Sequence, residues 1–268
     1  MNKEKIMAQI NRHYSHALTL YPQDRIVAVC LQGSQNYQLD TENSDIDTKC
    51  ILVPSFKDIV LIKEPISTTH ILENNEHLDA KDIRKYVTCF RKQNLNFLEI
   101  LFTPYEIINP AYAAEWFRLY QTREQIARMN PWRAVKSMKG IALEKFHAME
   151  HRYPSKIELI DKYGYDFKQL HHLVRVDNYL TRYINGDKYA DCLIPTEEMK
   201  KFLLDIKRGE WDLAAARELA KMSLAHVEKI ADEFCAQTED KEDAEMRELL
   251  EDVSYNIMKI AVEKELNS

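Results

Sequence analysis

The amino-acid sequence predicts an α+β protein, with a small mixed β-sheet flanked by helices over residues 1–130 and a helical domain over residues 131–268. Residues 25–32 and 45–53 are short runs rich in β-branched and other apolar side chains, which favour buried strands. After Pro131, apolar side chains recur every three or four positions and strand-like alternation is scarce, which is typical of packed helices. The change of pattern near this proline marks the expected domain boundary.

The other elements of the first half follow from local patterns. Ile6, Ile10 and Tyr14 recur at helical spacing. Pro22 interrupts that pattern, and Asp82 is a residue type that caps the first turn of a helix. The expected elements, in chain order, are a helix over residues 2–21, a strand over 25–32, a short helix over 35–39, a strand over 45–53, a hairpin with arms 66–72 and 77–81, and a helix over 83–92.

The composition excludes several classes of protein. With 45% hydrophobic and 30% charged residues among 268, the chain is an ordinary folded protein, neither disordered nor collagen-like. Its formal net charge of −6 argues against a basic nucleic-acid coat. The five cysteines form no C-x-x-C pair, so we expect a reducing cytoplasm and neither a disulfide framework nor a zinc site. We expect no membrane segment, because the apolar stretch at residues 26–31 is too short to cross a bilayer.

The stretch that carries chemistry joins a glycine turn to two carboxylates. Gly33 and Ser34 directly follow the first predicted strand, and Asp45 and Asp47 begin the second. Because side chains alternate along a strand, Asp45 and Asp47 point to the same face. Neighbouring carboxylates repel unless a divalent cation neutralises them, and oxygen ligands suit Mg²⁺ or Mn²⁺. The spacing therefore predicts a metal site at the two aspartates, beside a turn where Gly33 and Ser34 hold a phosphate.

Two-metal phosphoryl or nucleotidyl transfer requires a third carboxylate on a neighbouring strand. Asp79, on the second arm of the predicted hairpin, is the best-placed candidate for this catalytic and metal-binding role, with Glu76 and Asp82 as alternatives. A structural explanation competes with this hypothesis: the aspartates lie at a solvated strand edge, and Gly33 serves only the turn.

These residues resemble the signature of the DNA polymerase β-type nucleotidyltransferase superfamily. More narrowly, several motifs occur in the order found in the "predicted nucleotidyltransferase" family of bacteria and phages, which is linked to RNA repair. The motifs are Leu31-Gln-Gly-Ser-Gln-Asn-Tyr-Gln-Leu39, Ser44-Asp-Ile-Asp47, Asp82-Ile-Arg-Lys85, Asn94-Leu-Asn-Phe-Leu-Glu-Ile-Leu-Phe102, Lys168-Gln-Leu-His-His-Leu-Val-Arg175 and Ile206-Lys-Arg-Gly-Glu210. One departure is Asn94-Leu95, where the family usually has Asn-Pro.

The resemblance implies a nucleotidyltransferase core in residues 1–130 and a helical substrate- or nucleotide-binding domain in residues 131–268. It implies transfer of a nucleoside monophosphate from an NTP to a hydroxyl acceptor, which we expect to be RNA or another nucleic acid, with release of pyrophosphate. Two alternatives stay open: a non-catalytic nucleotide- or RNA-binding protein of the same fold, and a nucleotidyltransferase that modifies a small molecule or a protein.

Lys168, His172 and Arg175 share one face of a predicted helix in the most basic part of the chain. From spacing alone, a surface helix with a partly buried histidine is the better explanation. The resemblance implies instead that these three residues bind the nucleotide, with Arg175 making bidentate phosphate contacts. His171 points in another direction and is expected to pack.

Overall fold

A computed structural model describes residues 2–42 and 44–267. Within these residues it contains five β-strands: β1 (Ile26–Gln32), β2 (Asp47–Leu52), β3 (Ser67–Ile71), β4 (His77–Asp82) and β5 (Glu106–Ile108). The α-helices are α1 (Lys3–Leu20), α2 (Phe56–Val60), α3 (Ile83–Arg91), α4 (Leu95–Leu98), α5 (Ala113–Gln121), α6 (Arg123–Ile126), α7 (Pro131–Ala148), α8 (Ile157–Tyr163), α9 (Phe167–Ile184), α10 (Tyr189–Leu193), α11 (Glu197–Lys207), α12 (Leu213–Gln237) and α13 (Ala244–Asn267).

The sheet has the strand order β3-β4-β2-β1-β5. β2 pairs in parallel with β4, whereas the β1–β2, β1–β5 and β3–β4 pairs are antiparallel, so the sheet is mixed as predicted. The predicted strands and hairpin correspond to β1 to β4. β5 was not predicted, because its three residues are too few to show a strand pattern in the sequence.

One face of the sheet packs against α1. Ile6 and Ile10 of this helix are buried among the apolar side chains that point to the same face from β1, β2 and β4, namely Val29, Leu31, Cys50, Leu52, Leu78 and Ala80. Asn2 caps the helix by accepting a hydrogen bond from the backbone N–H of Glu4 at 3.1 Å. The predicted helix after Asp82 is α3, and Asp82 accepts from the backbone N–H of Arg84 at 2.9 Å.

The chain divides into two compact units. The first comprises the described residues of Met1–Met129 together with Glu242–Ser268, and the second is Asn130–Lys241. In the second unit, α9 is the central helix and packs against α7, α10, α11 and α12. Among the described residues, no helix is both long enough and apolar enough to cross a membrane.

The C-terminal helix α13 packs within the first unit, which differs from the predicted division into residues 1–130 and 131–268. Arg91 of α3 donates through Nε to Glu242 at 2.8 Å, and Arg118 of α5 forms a 2.8 Å ion pair with Asp252. The buried side chain of Leu250 lies on the same helix. Helical periodicity predicted a helical half up to residue 268, but periodicity does not reveal which core a helix covers.

We expect Leu250→Ala to destabilise the first unit by about 2–5 kcal/mol, because it removes a fully buried leucine side chain. Hydrogen exchange followed by mass spectrometry should show faster exchange in α3 and α5, with α7 and α9 unchanged. Tyr255→Ala is the control, since Tyr255 is an exposed residue of the same helix and its loss should change little. Faster exchange confined to α7 and α9 would contradict the observed packing of α13.

Candidate active site

The glycine turn and the aspartate pair lie at one end of the sheet. Gln32, the last residue of β1, pairs with Asp47, the first residue of β2. β4 runs parallel to β2 and begins at His77. The end of β1 and the beginnings of β2 and β4 therefore lie at the same end of the sheet, where Gly33 directly follows β1.

The turn after β1 has a backbone conformation that requires glycine. Gly33 has φ of +113° and ψ of −160°, a region that residues with a Cβ atom rarely adopt. Ser34 then begins a 3-10 turn that runs to Tyr37. The buried Gln35 donates from Nε2 to the carbonyl oxygen of Asp45 at 2.8 Å. This bond ties the Gly33–Ser34 turn to the segment that carries the aspartates.

Asp47, the first residue of β2, points away from α1. Ile46, which precedes it, is buried in the cluster of apolar side chains against α1. Strand alternation therefore sends the Asp47 carboxylate to the opposite face, and Asp45 lies in the segment that leads into β2. Asp45 is exposed and Asp47 is partly exposed, so both have oxygen atoms accessible to a cation. The pair fits Mg²⁺ or Mn²⁺ in donor chemistry, because these ions prefer carboxylate oxygens and keep several water ligands.

His77 is a neighbour of Asp47 that sequence reasoning missed. Its backbone N–H donates to Asp47 Oδ1 at 2.9 Å, and its ring Nδ1 lies 3.1 Å from the same oxygen. These contacts hold one oxygen of the Asp47 carboxylate in place. The sequence contained a signal for this residue, since His77 lies two positions before Asp79 and so shares its face of the strand.

The structure places Asp79 on the same face as Asp47, but in ion pairs with two lysines. In the register of β2 and β4, Asp79 is opposite Lys49. Its Oδ2 lies 3.5 Å from Lys49 Nζ, and its Oδ1 accepts hydrogen bonds from Lys81 and, at 3.0 Å, from Thr69. Burial alone would raise the pKa of Asp79, but the two lysines and Thr69 outweigh burial and hold this pKa below its ordinary value.

Within the part of the chain that the structure describes, no group of three or more His, Cys, Asp or Glu side chains is arranged to hold a metal ion. The metal-binding roles of Asp45 and Asp47 therefore stay predictions. The metal-binding role of Asp79 also stays a prediction. To bind a metal ion, the Asp79 carboxylate would have to give up its contacts with Lys49 and Lys81.

The two alternative third carboxylates point to the other face of the sheet. Glu76 accepts a hydrogen bond from Gln9 of α1, and its Oε2 lies 3.1 Å from Nε2 of His13 in the same helix. Asp82 caps α3 and forms an ion pair with Arg84. Of the three candidates considered, Asp79 alone lies on the face of the aspartate pair.

Lys49 is the second neighbour that the sequence analysis missed. Its side chain is 3% exposed, and its Nζ lies 4.8 Å from the centre of the Phe97 ring. Burial lowers the pKa of Lys49, while Asp79 opposes that shift. Its sequence signal is alternation, because a lysine two positions after Asp47 must share the face of the aspartates.

The residues predicted to bind nucleotide in the helical half lie on α9 of the second unit. Lys168 is exposed, His172 is partly exposed, and Arg175 is 8% exposed. Burial holds the pKa of His172 well below its ordinary value, and the charge of Arg175 acts in the same direction. The neutral form of the imidazole is therefore favoured at this position.

His171 packs inside the second unit, as predicted. Its Nδ1 lies 2.9 Å from the carbonyl oxygen of Leu203 in α11, and burial lowers its pKa to about 4. Its neighbour His172 is more exposed than His171, so the two adjacent histidines have different surroundings on one helix.

A comparison with known protein families assigns the chain. The model of the RNA repair pathway DNA polymerase beta family matches residues 2–178, about two-thirds of the sequence. The chain belongs to this family. The match extends from α1 to α9, and it confirms the resemblance predicted from the motifs and identifies a DNA polymerase beta-like nucleotidyltransferase. No curated protein matches the sequence at a significant level.

We expect Lys49→Met to destabilise the first unit by about 1–3 kcal/mol, because it leaves the part-buried Asp79 with one cation fewer. The pKa of Asp79 lies below its unfolded value, so its ion pairs contribute stability above about pH 4 that is lost as the pH falls through the folded pKa. The substitution should raise this pKa, and acid unfolding should then begin at a higher pH.

Thermal unfolding measured across acidic pH tests this expectation. Lys57→Met is the control, because Lys57 is an exposed lysine of the same unit and its loss should change little. Identical acid unfolding profiles for Lys49→Met and the wild type would show that Lys49 does not govern the charge of Asp79.

Proposed function

We propose that the protein transfers a nucleoside monophosphate from an NTP to a hydroxyl group of RNA or another nucleic acid and releases pyrophosphate. The observation that carries this proposal is the position of Asp47 at the start of β2 and of Asp45 just before it, in a segment that Gln35 ties to the Gly33–Ser34 turn. Membership of the DNA polymerase beta family supports the reaction class. The acceptor and the base of the NTP belong to the proposal.

In the proposed reaction, the acceptor hydroxyl attacks the α-phosphorus and the bond to the bridging oxygen of pyrophosphate breaks. A Mg²⁺ or Mn²⁺ ion held by Asp45 and Asp47 would neutralise charge on the phosphates. The backbone at Gly33 allows a phosphate to approach closely, and the Ser34 hydroxyl can donate a hydrogen bond to it. Asp79 remains the proposed third carboxylate, which would help to activate the acceptor oxygen for attack.

A non-catalytic nucleotide- or RNA-binding role is the second candidate. The observation that favours it is the engagement of Asp79 by Lys49 and Lys81, since a carboxylate paired with two cations is less available to a metal ion. Modification of a small molecule or a protein is an outcome of the same assays, because the acceptor that becomes labelled identifies it.

Asp45→Asn and Asp47→Asn should each abolish transfer while the fold persists. The substitutions remove the repulsion between adjacent carboxylates, so thermal stability without metal should stay equal or rise. Stabilisation by NTP with Mg²⁺ should disappear. The measurements are transfer from α-labelled NTPs to RNA and thermal unfolding with and without NTP and Mg²⁺.

Glu42→Gln is the control for these variants, because it removes an exposed carboxylate from the same loop and should leave transfer unchanged. Normal turnover in either aspartate variant would rule out the proposed metal site. Metal-dependent NTP binding by the wild type without transfer to any acceptor would favour the binding role.

Arg175→Lys should weaken binding of NTP or acceptor by about 1–3 kcal/mol, because lysine cannot reproduce the bidentate phosphate contacts of a guanidinium. His172→Ala should weaken binding more than His171→Ala does, whereas His171→Ala should lower thermal stability more, since His171 bonds to Leu203 in the interior. Calorimetry with each NTP and circular dichroism of each variant separate binding from folding. Negligible effects of Arg175→Lys and His172→Ala on binding would assign α9 a structural role only.

A further inference from the structure

The outer face of α5 exposes two parallel aromatic rings. Phe117 and Tyr120 are 55% and 41% exposed, and their ring centres lie 6.3 Å apart with an angle of 14° between the planes. Glu115 and Arg118, on the opposite side of the helix, contact Asn256 and Asp252 of α13. The two rings therefore point away from the packed side of α5 and form an exposed pair of parallel rings.

A guanidinium group lies over the face of the second ring and presents its own plane. The Cζ of Arg123 lies 3.7 Å from the centre of the Tyr120 ring and 5.5 Å from that of Phe102. Its Nη1 also donates to the carbonyl oxygen of Tyr120 at 3.2 Å, which holds the group against the ring. We call Phe102, Phe117, Tyr120 and Arg123 the aromatic platform.

The aromatic platform adjoins the glycine turn of the candidate active site. Phe102 precedes Thr103, whose hydroxyl donates to Asn36 Oδ1 at 2.7 Å. Asn36 belongs to the 3-10 turn that Ser34 begins, and it also donates to the carbonyl oxygen of Leu31 at 3.0 Å. The platform is therefore connected to the turn that we expect to hold a phosphate through Thr103, which follows Phe102 in the chain and donates to Asn36 in the turn.

We propose that the aromatic platform binds an unpaired base of a single-stranded RNA acceptor by stacking. This inference rests on the proposed function, because it assigns the acceptor class of the same site. Every nucleobase has a flat face that stacks on aromatic rings, and a planar guanidinium stacks on a base and attracts the neighbouring phosphate. The cation next to the exposed rings favours this ligand over an apolar protein surface, because the phosphate beside a stacked base complements the charge of Arg123 and an apolar surface does not.

The test uses the full chain and a short fluorescein-labelled single-stranded RNA, with binding measured by fluorescence anisotropy. Phe117→Ala combined with Tyr120→Ala should weaken binding about tenfold or more, as expected when stacking on a base is lost. Phe117→Trp should retain binding, because the indole ring still stacks. The same RNA annealed to its complement should bind without dependence on these residues, since its bases are already paired.

Phe56→Ala is the matched control. Phe56 is 40% exposed and lies in the same unit, but it follows the opposite end of β2 from the aspartate pair. Its removal should leave RNA binding unchanged, so an effect of the platform variants cannot come from the loss of an exposed aromatic ring in general. Unchanged stabilisation by NTP with Mg²⁺ shows that the platform variants are folded and that their nucleotide site is intact.

The outcomes separate this inference from the proposed reaction. Weaker RNA binding in the platform variant, with NTP stabilisation retained, supports the platform even if the wild type transfers no nucleotide. Wild-type RNA affinity in the double variant overturns it, as does a wild-type chain that transfers nucleotide to a small molecule and binds no single-stranded RNA. Equal loss for single-stranded and duplex RNA, or capture of a protein that depends on Phe117 and Tyr120 without any RNA binding, would also overturn it.

Discussion

The register of β2 against β1 is the constraint on which the candidate site depends. Gln32 pairs with Asp47, and Ile46 fits into the apolar cluster beneath α1. A shift of one residue would bring Asp45 and Asp47 into that cluster and expose Ile46, because alternate side chains exchange faces. Burying two unpaired carboxylates among apolar side chains would be far more costly than burying isoleucine. The apolar core therefore disfavours a one-residue shift and keeps Ile46 inside.

The beginning of β4 is held by polar contacts on both faces of the sheet. Behind the sheet, Glu76 bonds to His13 of α1, whose Nδ1 lies 2.8 Å from Thr48 of β2. On the front, His77 contacts Asp47 and Asp79 contacts Lys49. Glu76, just before β4, thus attaches the start of the strand to α1, and His77 and Asp79 attach it to β2. Since a buried polar group that loses its partner destabilises the fold, these contacts specify where the strand begins as well as stabilising it.

On the face of the sheet that carries Asp47, Lys49 and Asp79 form an ion pair next to the aromatic ring of Phe97. Lys49 is buried under Phe97, and its pKa is lowered by burial while that of Asp79 is held low by the lysines around it. The same row of the sheet continues through Cys30 to Glu106, which accepts a hydrogen bond from Trp116 at 3.0 Å and whose pKa burial raises. A row of polar side chains and Cys30 therefore crosses the sheet from β4 to β5. It lies on the same face as Asp47, two residues further along β2.

Much of this arrangement was predictable from local sequence. The strands β1 to β4 and the cap at Asp82 follow from β-branched runs and capping chemistry, which are properties of neighbouring residues. The family followed from the order of short motifs, which the family match confirms. The Gly33 turn was also foreseen, because a glycine directly after a buried strand marks a conformation that other residues rarely adopt.

Tertiary structure alone decided which distant segments meet. The sequence favoured Asp79 over Glu76 and Asp82 as the third carboxylate, and the pairing of β4 with β2 showed that Asp79 shares the face of Asp47. The lysine partners of Asp79 and the place of α13 in the first unit likewise depend on contacts between residues far apart in the chain. Local propensity and periodicity describe a residue and its neighbours, whereas ion pairs and helix packing depend on the register and burial that the folded chain creates.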